Sequence, residues 1–231
     1  MSVSYQNNKV PNRSRDVSNL VESNRPLVIL VDDDARILEA LDELMLSVGI
    51  DTISFASTRD LLEAELPDRP GCLIVDVRMP GVSGLDLQHR LAESGEAKPI
   101  VFLTAHGDIP MSVQAMKAGA VDFLTKPVRD QALLDAVATG IERDVKQRRH
   151  ARTVKEHLNK FALLTPRERQ VLHEVAVGRV NKQIAFSLGI SEVTVKLHRS
   201  NVMRKMQFAS VGELIRVWET LPNDVREIVR V

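Results

Sequence analysis

The run Leu27-Val28-Ile29-Leu30-Val31-Asp32-Asp33-Asp34 decides the fold. Its apolar residues do not alternate with polar ones, so the strand they form must be buried on both faces. It ends abruptly in carboxylates. Residues 35–48 then place Ile37, Leu38, Leu41, Leu44, Met45 and Val48 at helical spacing. A buried strand followed at once by an amphipathic helix is a βα unit, and the unit recurs. Residues 50–55, 72–75, 99–103 and 121–124 read as further strands. Residues 61–66 (stopped by Pro67), 85–91 (with Ser83 as N-cap) and 111–118 (ended by Gly119) read as helices. From Arg129 a long helix begins, with Leu133, Leu134, Val137 and Ile141 on one face. Five such units in succession predict an α/β domain over residues 26–145, a five-stranded parallel sheet doubly wound in the flavodoxin-like manner.

Sheets of this kind collect their functional groups at the carboxyl ends of the strands. Here the first strand ends in Asp32, Asp33 and Asp34, the third in Asp76 and the fourth in Thr104, and Lys126 follows the fifth. First and third strands are neighbours in this topology, so the carboxylates converge on one crevice. Like charges packed so closely cannot all stay ionised without compensation. A hard divalent cation, Mg²⁺ above all, would supply it, with Lys126 as a further positive charge. A carboxylate beside a metal, a hydroxyl and an ammonium is arranged to accept a phosphoryl group. Each residue alone has an ordinary explanation. Asp34 caps the following helix, Asp32 and Asp33 could be solvated loop acids, Thr104 a strand-end hydroxyl and Lys126 a surface lysine. Their placement at successive strand ends favours the functional reading.

The 231 residues include 31 basic and 31 acidic side chains, a balance that on its face argues against nucleic acid. The distribution along the chain reverses that. Residues 26–145 carry 10 basic and 21 acidic groups, whereas residues 146–231 carry 17 and 8. An acidic module is joined to one suited to a polyanion. Cys72 is the sole cysteine, which excludes a disulfide framework, and its apolar neighbours mark it as a small buried hydrophobe. No apolar run approaches the roughly 20 residues of a membrane span. Residues 1–25 are polar, lack signal-peptide character and read as a flexible tail. A cytoplasmic protein is expected, with no membrane partner.

Residues 146–162 read as a basic helical linker, either a solvated extension of the preceding helix or an arm touching nucleic acid. No strand signal follows. Thr165-Pro166 opens a helix, and Glu168 stands at capping-box spacing from Thr165. Residues 182–188, the turn Gly189-Ile190-Ser191 and the helix 193–206 form a helix-turn-helix pattern within a four-helix, all-α domain over residues 163–220. Val195, Val202 and Met206 share one face of the longer helix, and Lys196, Arg199, Ser200 and Arg204 lie on the other. A helix with an apolar back and a cationic, hydroxyl-bearing front suits the major groove of double-stranded DNA. Arg179, Lys182 and Lys205 read as phosphate binders. His198 is either a packing partner or a DNA contact.

These residues carry resemblances. Residues 26–145 resemble the receiver domain of bacterial two-component response regulators. The motifs are Val31-Asp32-Asp33-Asp34, Asp76-Val77-Arg78-Met79-Pro80-Gly81, Ser83-Gly84, Leu103-Thr104-Ala105 and Asp122-Phe123-Leu124-Thr125-Lys126-Pro127. The resemblance implies that Asp76 takes phosphate from a sensor histidine kinase. It implies that Asp33, Asp76 and the Arg78 main-chain carbonyl hold Mg²⁺, with Asp32 acting through water. Thr104 and Lys126 would hold phosphoryl oxygens, Phe123 would follow the state of Thr104, and the Lys126–Pro127 peptide would be cis.

Residues 163–218 resemble the LuxR-type helix-turn-helix, on Leu164-Thr165-Pro166-Arg167-Glu168, Asn181-Lys182-Gln183-Ile184-Ala185, Leu188-Gly189-Ile190-Ser191 and the run Thr194 to Met206. This implies promoter DNA as partner. Thr194, Lys196, Leu197, Arg199, Ser200 and Arg204 would lie along the recognition helix, with Lys196 and Leu197 at positions that meet bases. With His106-Gly107-Asp108-Ile109-Pro110-Met111, the whole is most similar to the FixJ subgroup, whose members dimerise when phosphorylated through a helix that here carries Val113 and Lys117. RNA polymerase is a further partner such a regulator would meet. An enzyme is not expected, because aspartyl-phosphate phosphatases place a second Asp two residues after the nucleophile, where this chain has Arg78. The tail, residues 221–231, matches neither pattern. Its Val225, Ile228 and Val229 would either dock or fray.

Overall fold

The computed structural model describes residues 25–94, 98–105 and 107–228. The expected tail before Arg25, His106 of the loop motif and Val229 fall outside these residues. The chain divides into two compact units between Arg148 and Arg149, inside the segment expected to be a linker.

In the first unit, β1 (Leu27–Val31), β2 (Asp51–Phe55), β3 (Gly71–Val75), β4 (Ile100–Thr104) and β5 (Asp122–Thr125) form one sheet in the order β2-β1-β3-β4-β5. All pairings are parallel. The helices are α1 (Ala35–Ser47), α2 (Thr58–Glu63), α3 (Gly84–Ser94), α4 (Ile109–Lys117) and α5 (Asp130–Ala162). Strand periodicity then sorts the core. Val28 and Leu30 of β1 pack with Leu41 and Met45 of α1 and with Leu133 and Val137 of α5. Ile29 and Val31 pack with Leu61 of α2, Leu87 of α3 and Ala115 of α4. Every residue of β1, β3 and β4 is buried, which is why those strands read as unbroken apolar runs.

Local chemistry shifts some boundaries. α2 begins earlier than the apolar pattern suggests, because the Ser57 side chain accepts from Asp60 N and starts the helix at Thr58. It also ends before Pro67, since Ala64 is already extended. Thr104 is the last residue of β4, with no exposed surface.

The amino-terminal edge of the sheet is tied by ion pairs that no periodicity announces. Arg69 and Asp51 are both buried and meet at 2.6 Å. Asp144 of α5, also buried, accepts from Gly71 N at 2.8 Å and from Arg148 Nε at 2.8 Å. Arg148 reaches on to Asp68. These bonds fix the middle of α5 against the start of β3.

The second unit contains the end of α5, then α6 (Pro166–Ala176), α7 (Asn181–Leu188), α8 (Glu192–Met206), α9 (Val211–Thr220) and α10 (Asn223–Ile228). Its core joins Phe161, Val171, Leu172, Val175, Ile184, Val195, Val202, Met206, Leu214 and Trp218. The tail docks in part: Leu221 is buried, and Val225 packs against the same core. No helix among the described residues is long and apolar enough to cross a membrane.

Cys72 behaves as its sequence suggests. It is fully buried, and burial pushes its thiol up to about 12. Gly140 of α5 lies so close that a Cβ there would stand 2.9 Å from the Cys72 Cβ. Gly140→Ala should therefore lift α5 off β3 and cost about 1–3 kcal/mol in urea unfolding, despite alanine's higher helix propensity. Unchanged or raised stability would show that the close approach is not needed.

Candidate phosphoacceptor site and nucleic-acid interface

The register of the sheet builds the first site. Val31 pairs with Val75, so the residues that follow, Asp32 and Asp76, emerge side by side. Both are buried, at 3% and 8% exposure, while Asp33 is exposed. One carboxylate oxygen from each of Asp32, Asp33 and Asp76 lies within 4.8 Å of the others. Asp34 is a helix cap, as expected, and its carboxylate accepts from Arg36 N. The hydrogen bond from the Arg36 side chain, with that from its backbone, holds Asp34 at about 2.

Lys126 Nζ bridges the two buried acids, 2.5 Å from Asp32 Oδ2 and 2.9 Å from Asp76 Oδ2. The remaining oxygens are also engaged. Asp32 Oδ1 accepts from Asp34 N at 2.9 Å, and Asp76 Oδ1 accepts from Arg78 N at 3.0 Å. Burial works against the ammonium, yet the hydrogen bonds to Asp32 and Asp76 outweigh it and hold Lys126 above the ordinary lysine value. The all-oxygen donor set suits a hard cation. Three acids facing one ammonium also leave an excess of negative charge for such an ion to offset.

The supporting shell is equally specific. Lys126 N donates to Thr104 O at 2.9 Å, and the Lys126–Pro127 peptide is cis. Gly84 opens α3 against the Asp76 main chain, where a Cβ would stand 2.4 Å from the Asp76 carbonyl oxygen. Phe123 of β5 is half-buried, its ring 6.0 Å from that of Phe102. α4, expected to carry Val113 and Lys117, shows an apolar stripe that extends beyond Val113. Ile109, Val113 and Met116 are 79%, 44% and 46% exposed, one helical face apart by four and three residues.

In the second unit, α7, a left-handed Gly189 and α8 form the helix-turn-helix. Ser191 caps α8 by accepting from Thr194 N, and its hydroxyl also meets that of Thr194 at 2.8 Å. Val195, Val202 and Met206 are buried, while Lys196, Leu197, Ser200 and Arg204 are exposed together with Lys182 of α7.

Several residues expected to contact DNA also have partners within the unit. Arg199 is half-buried and donates to Asn181 Oδ1 at 2.7 Å. It also lines a small cavity with Val171, Val175, Val202 and Leu214. Lys205 pairs with buried Glu168 at 2.7 Å and donates to Leu163 O at 3.2 Å. Arg179 pairs with Glu174 at 2.6 Å. Arg199 stands four residues after Val195 and three before Val202, so the helical period itself turns it toward the core, while Lys205 reaches from the flank of that face to buried Glu168. His198 Nδ1 is buried and makes no hydrogen bond among the described residues.

Glu168 completes the capping box with Thr165 and also receives Lys205, so one carboxylate locks the start of α6 to the last turn of α8. Burial works against its charge, but the bonds from Lys205 and Thr165 prevail and hold it below the usual glutamate range. A depressed carboxylate stabilises the fold above its unfolded pKa, and that contribution is lost as pH falls through the folded value. Glu168→Gln should cost about 2 kcal/mol at neutral pH. It should also flatten the acid limb of a melting-temperature profile. An acid limb identical to wild type would remove Glu168 from this role.

Known proteins agree with both halves. Residues 28–138 match the family described as the response regulator receiver domain, and residues 162–218 match the bacterial regulatory proteins of the luxR family. Nodulation protein W of Bradyrhizobium diazoefficiens is 50% identical over 199 residues, covering 86% of this chain and 88% of that protein. Transcriptional regulatory protein FixJ of Azorhizobium caulinodans is 43% identical over 190 residues, covering 82% and 90%. The solved structure of the response regulator StyR superposes with a TM-score of 0.73 at 46% identity, over 84% of this chain and 98% of that one. A buried acid cluster bridged by lysine at the strand ends, joined in one chain to a helix-turn-helix, thus marks this protein as a two-component response regulator, a transcriptional regulator of the FixJ type that couples a receiver to a LuxR-type DNA-binding domain.

Proposed function

We propose that Asp76 accepts a phosphoryl group from a sensor histidine kinase and that this promotes dimerisation and promoter binding. The observation that carries the reading is the single ammonium of Lys126 shared by buried Asp32 and Asp76. Asp33, Asp76 and the Arg78 main-chain carbonyl would hold Mg²⁺, with Asp32 acting through water, and the bound cation would offset charge on the phosphoryl oxygens. An Asp76 carboxylate oxygen bonds to phosphorus as the P–N bond of the kinase's phosphohistidine breaks, and the histidine nitrogen keeps the electron pair. Lys126 moves its hydrogen bond from Asp76 to a phosphoryl oxygen, and the Thr104 hydroxyl takes another. Phe123 follows Thr104, and the population shifts toward a conformer whose α4 face pairs with a second copy. Ile109, Val113, Met116 and Lys117 supply that face.

In this reading the receiver is residues 26–145, the linker 146–162 and the DNA-binding domain 163–220. Lys182 contacts phosphate, and Lys196, Leu197, Ser200 and Arg204 enter the major groove. Thr194, Arg199 and Lys205 act by holding α8 in place. The protein works in the cytoplasm, where the regulator on its promoter meets RNA polymerase. It performs no multiple-turnover catalysis.

Beryllofluoride with Mg²⁺ mimics the phosphoryl group and tests the switch. The full-length protein should become dimeric in sedimentation. Its affinity for a two-half-site duplex selected from a random library should rise on the order of 100-fold. Asp76→Asn should abolish both responses, and Val113→Asp should abolish dimerisation alone. An unchanged association state and DNA affinity would refute the proposal.

A further inference from the structure

The turn between β2 and α2 supplies no acid to the receiver site, yet it bonds to the segments that follow both β1 and β3. Phe55 O, at the end of β2, accepts from Asp32 N at 3.2 Å. Three residues later Thr58, only 1% exposed, donates from its hydroxyl to Val82 O at 3.0 Å. A threonine at the start of a helix ordinarily satisfies its hydroxyl on nearby backbone. This one reaches 24 residues along the chain instead, into the loop that follows Asp76.

That loop, residues 77–83, carries the Arg78 carbonyl and the Arg78 N–H that donates to Asp76 Oδ1. Gly81, at φ 86°, leaves its backbone free to take other shapes. Among the described residues the loop's other hydrogen bonds stay within residues 76–87, as from Gly84 N to Val77 O and from Leu87 N to Ser83 O. Thr58 is the one that ties it to a different element. We propose that Thr58 is a positioning residue for phosphoryl acceptance. Its hydroxyl fixes the loop, so that the Arg78 carbonyl and N–H keep their places relative to Asp76. Without that bond the loop samples other positions. A ligand set that is in place only part of the time binds its ion more weakly by that fraction. The inference rests on the phosphoacceptor reading above and adds to it a residue outside the strand ends.

The test titrates Mg²⁺ into the full-length protein and follows amide NMR shifts around the acid cluster. Thr58→Val keeps the shape of the side chain and removes the hydroxyl, so it should weaken Mg²⁺ binding roughly fivefold, the worth of one ordinary hydrogen bond. Thr58→Ser retains the hydroxyl and should bind as the parent does. The rate of phosphorylation by acetyl phosphate at subsaturating Mg²⁺ should follow the same order. Thr58→Ala supplies the comparison with serine if the valine variant does not fold. A hydroxyl that only stabilises the fold would lower the melting temperature of Thr58→Val and leave Mg²⁺ affinity alone, and that result would overturn the inference. So would a serine variant as weak as the valine one. Absence of Mg²⁺ binding by the parent would instead overturn the phosphoacceptor reading itself, and this inference with it.

Discussion

Two buried carboxylates held by one ammonium set the terms for the receiver. Asp32 and Asp76 have side chains only 5% and 10% exposed, and Lys126 spans them. Burying charge is costly unless it is paired and hydrogen-bonded. Here every oxygen of both acids has a partner, from Lys126 or from the main chain at Asp34 and Arg78. The arrangement is satisfied as a set of hydrogen bonds and unsatisfied as a sum of charges. That residual negative charge, with Asp33 at the mouth, is what makes the crevice receptive to a cation.

The fold exists in large part to hold that arrangement. Adjacent parallel strands bring Asp32 and Asp76 together through the β1–β3 register. Lys126 is delivered from the far side by β5, through the bond of its main chain to Thr104. Gly84 lets α3 start against the Asp76 carbonyl, where any side chain would collide. At the opposite edge, the pairs Arg69–Asp51 and Arg148–Asp144 anchor β2 and α5, well away from the chemistry. In the second unit Glu168 plays the comparable part, fixing α8 through Lys205.

Much of this was legible in the sequence because it follows from periodicity. Runs such as Leu27–Val31 and Ile100–Thr104 cannot be half-exposed strands, and five of them alternating with helices allow few topologies. The site followed, since strand ends are fixed once strands are. What stayed hidden depends on where long side chains reach. Arg199 falls between Val195 and Val202 on the buried side of α8 and meets Asn181, and Lys205 reaches from the flank of that side to Glu168, contacts that a count of exposed cations does not reveal. The docking of Leu221 and the short α10 was likewise invisible, as so brief a segment carries little periodic signal.

The central claim is that Asp76 alone is the acceptor. The direct measurement is to incubate the protein with acetyl phosphate and Mg²⁺, reduce the product with borohydride, which converts an aspartyl phosphate to homoserine, and locate the altered residue by peptide mass spectrometry. The account predicts conversion at position 76 and at no other acid of the cluster. Conversion at Asp32 or Asp33, or none at all, would contradict it.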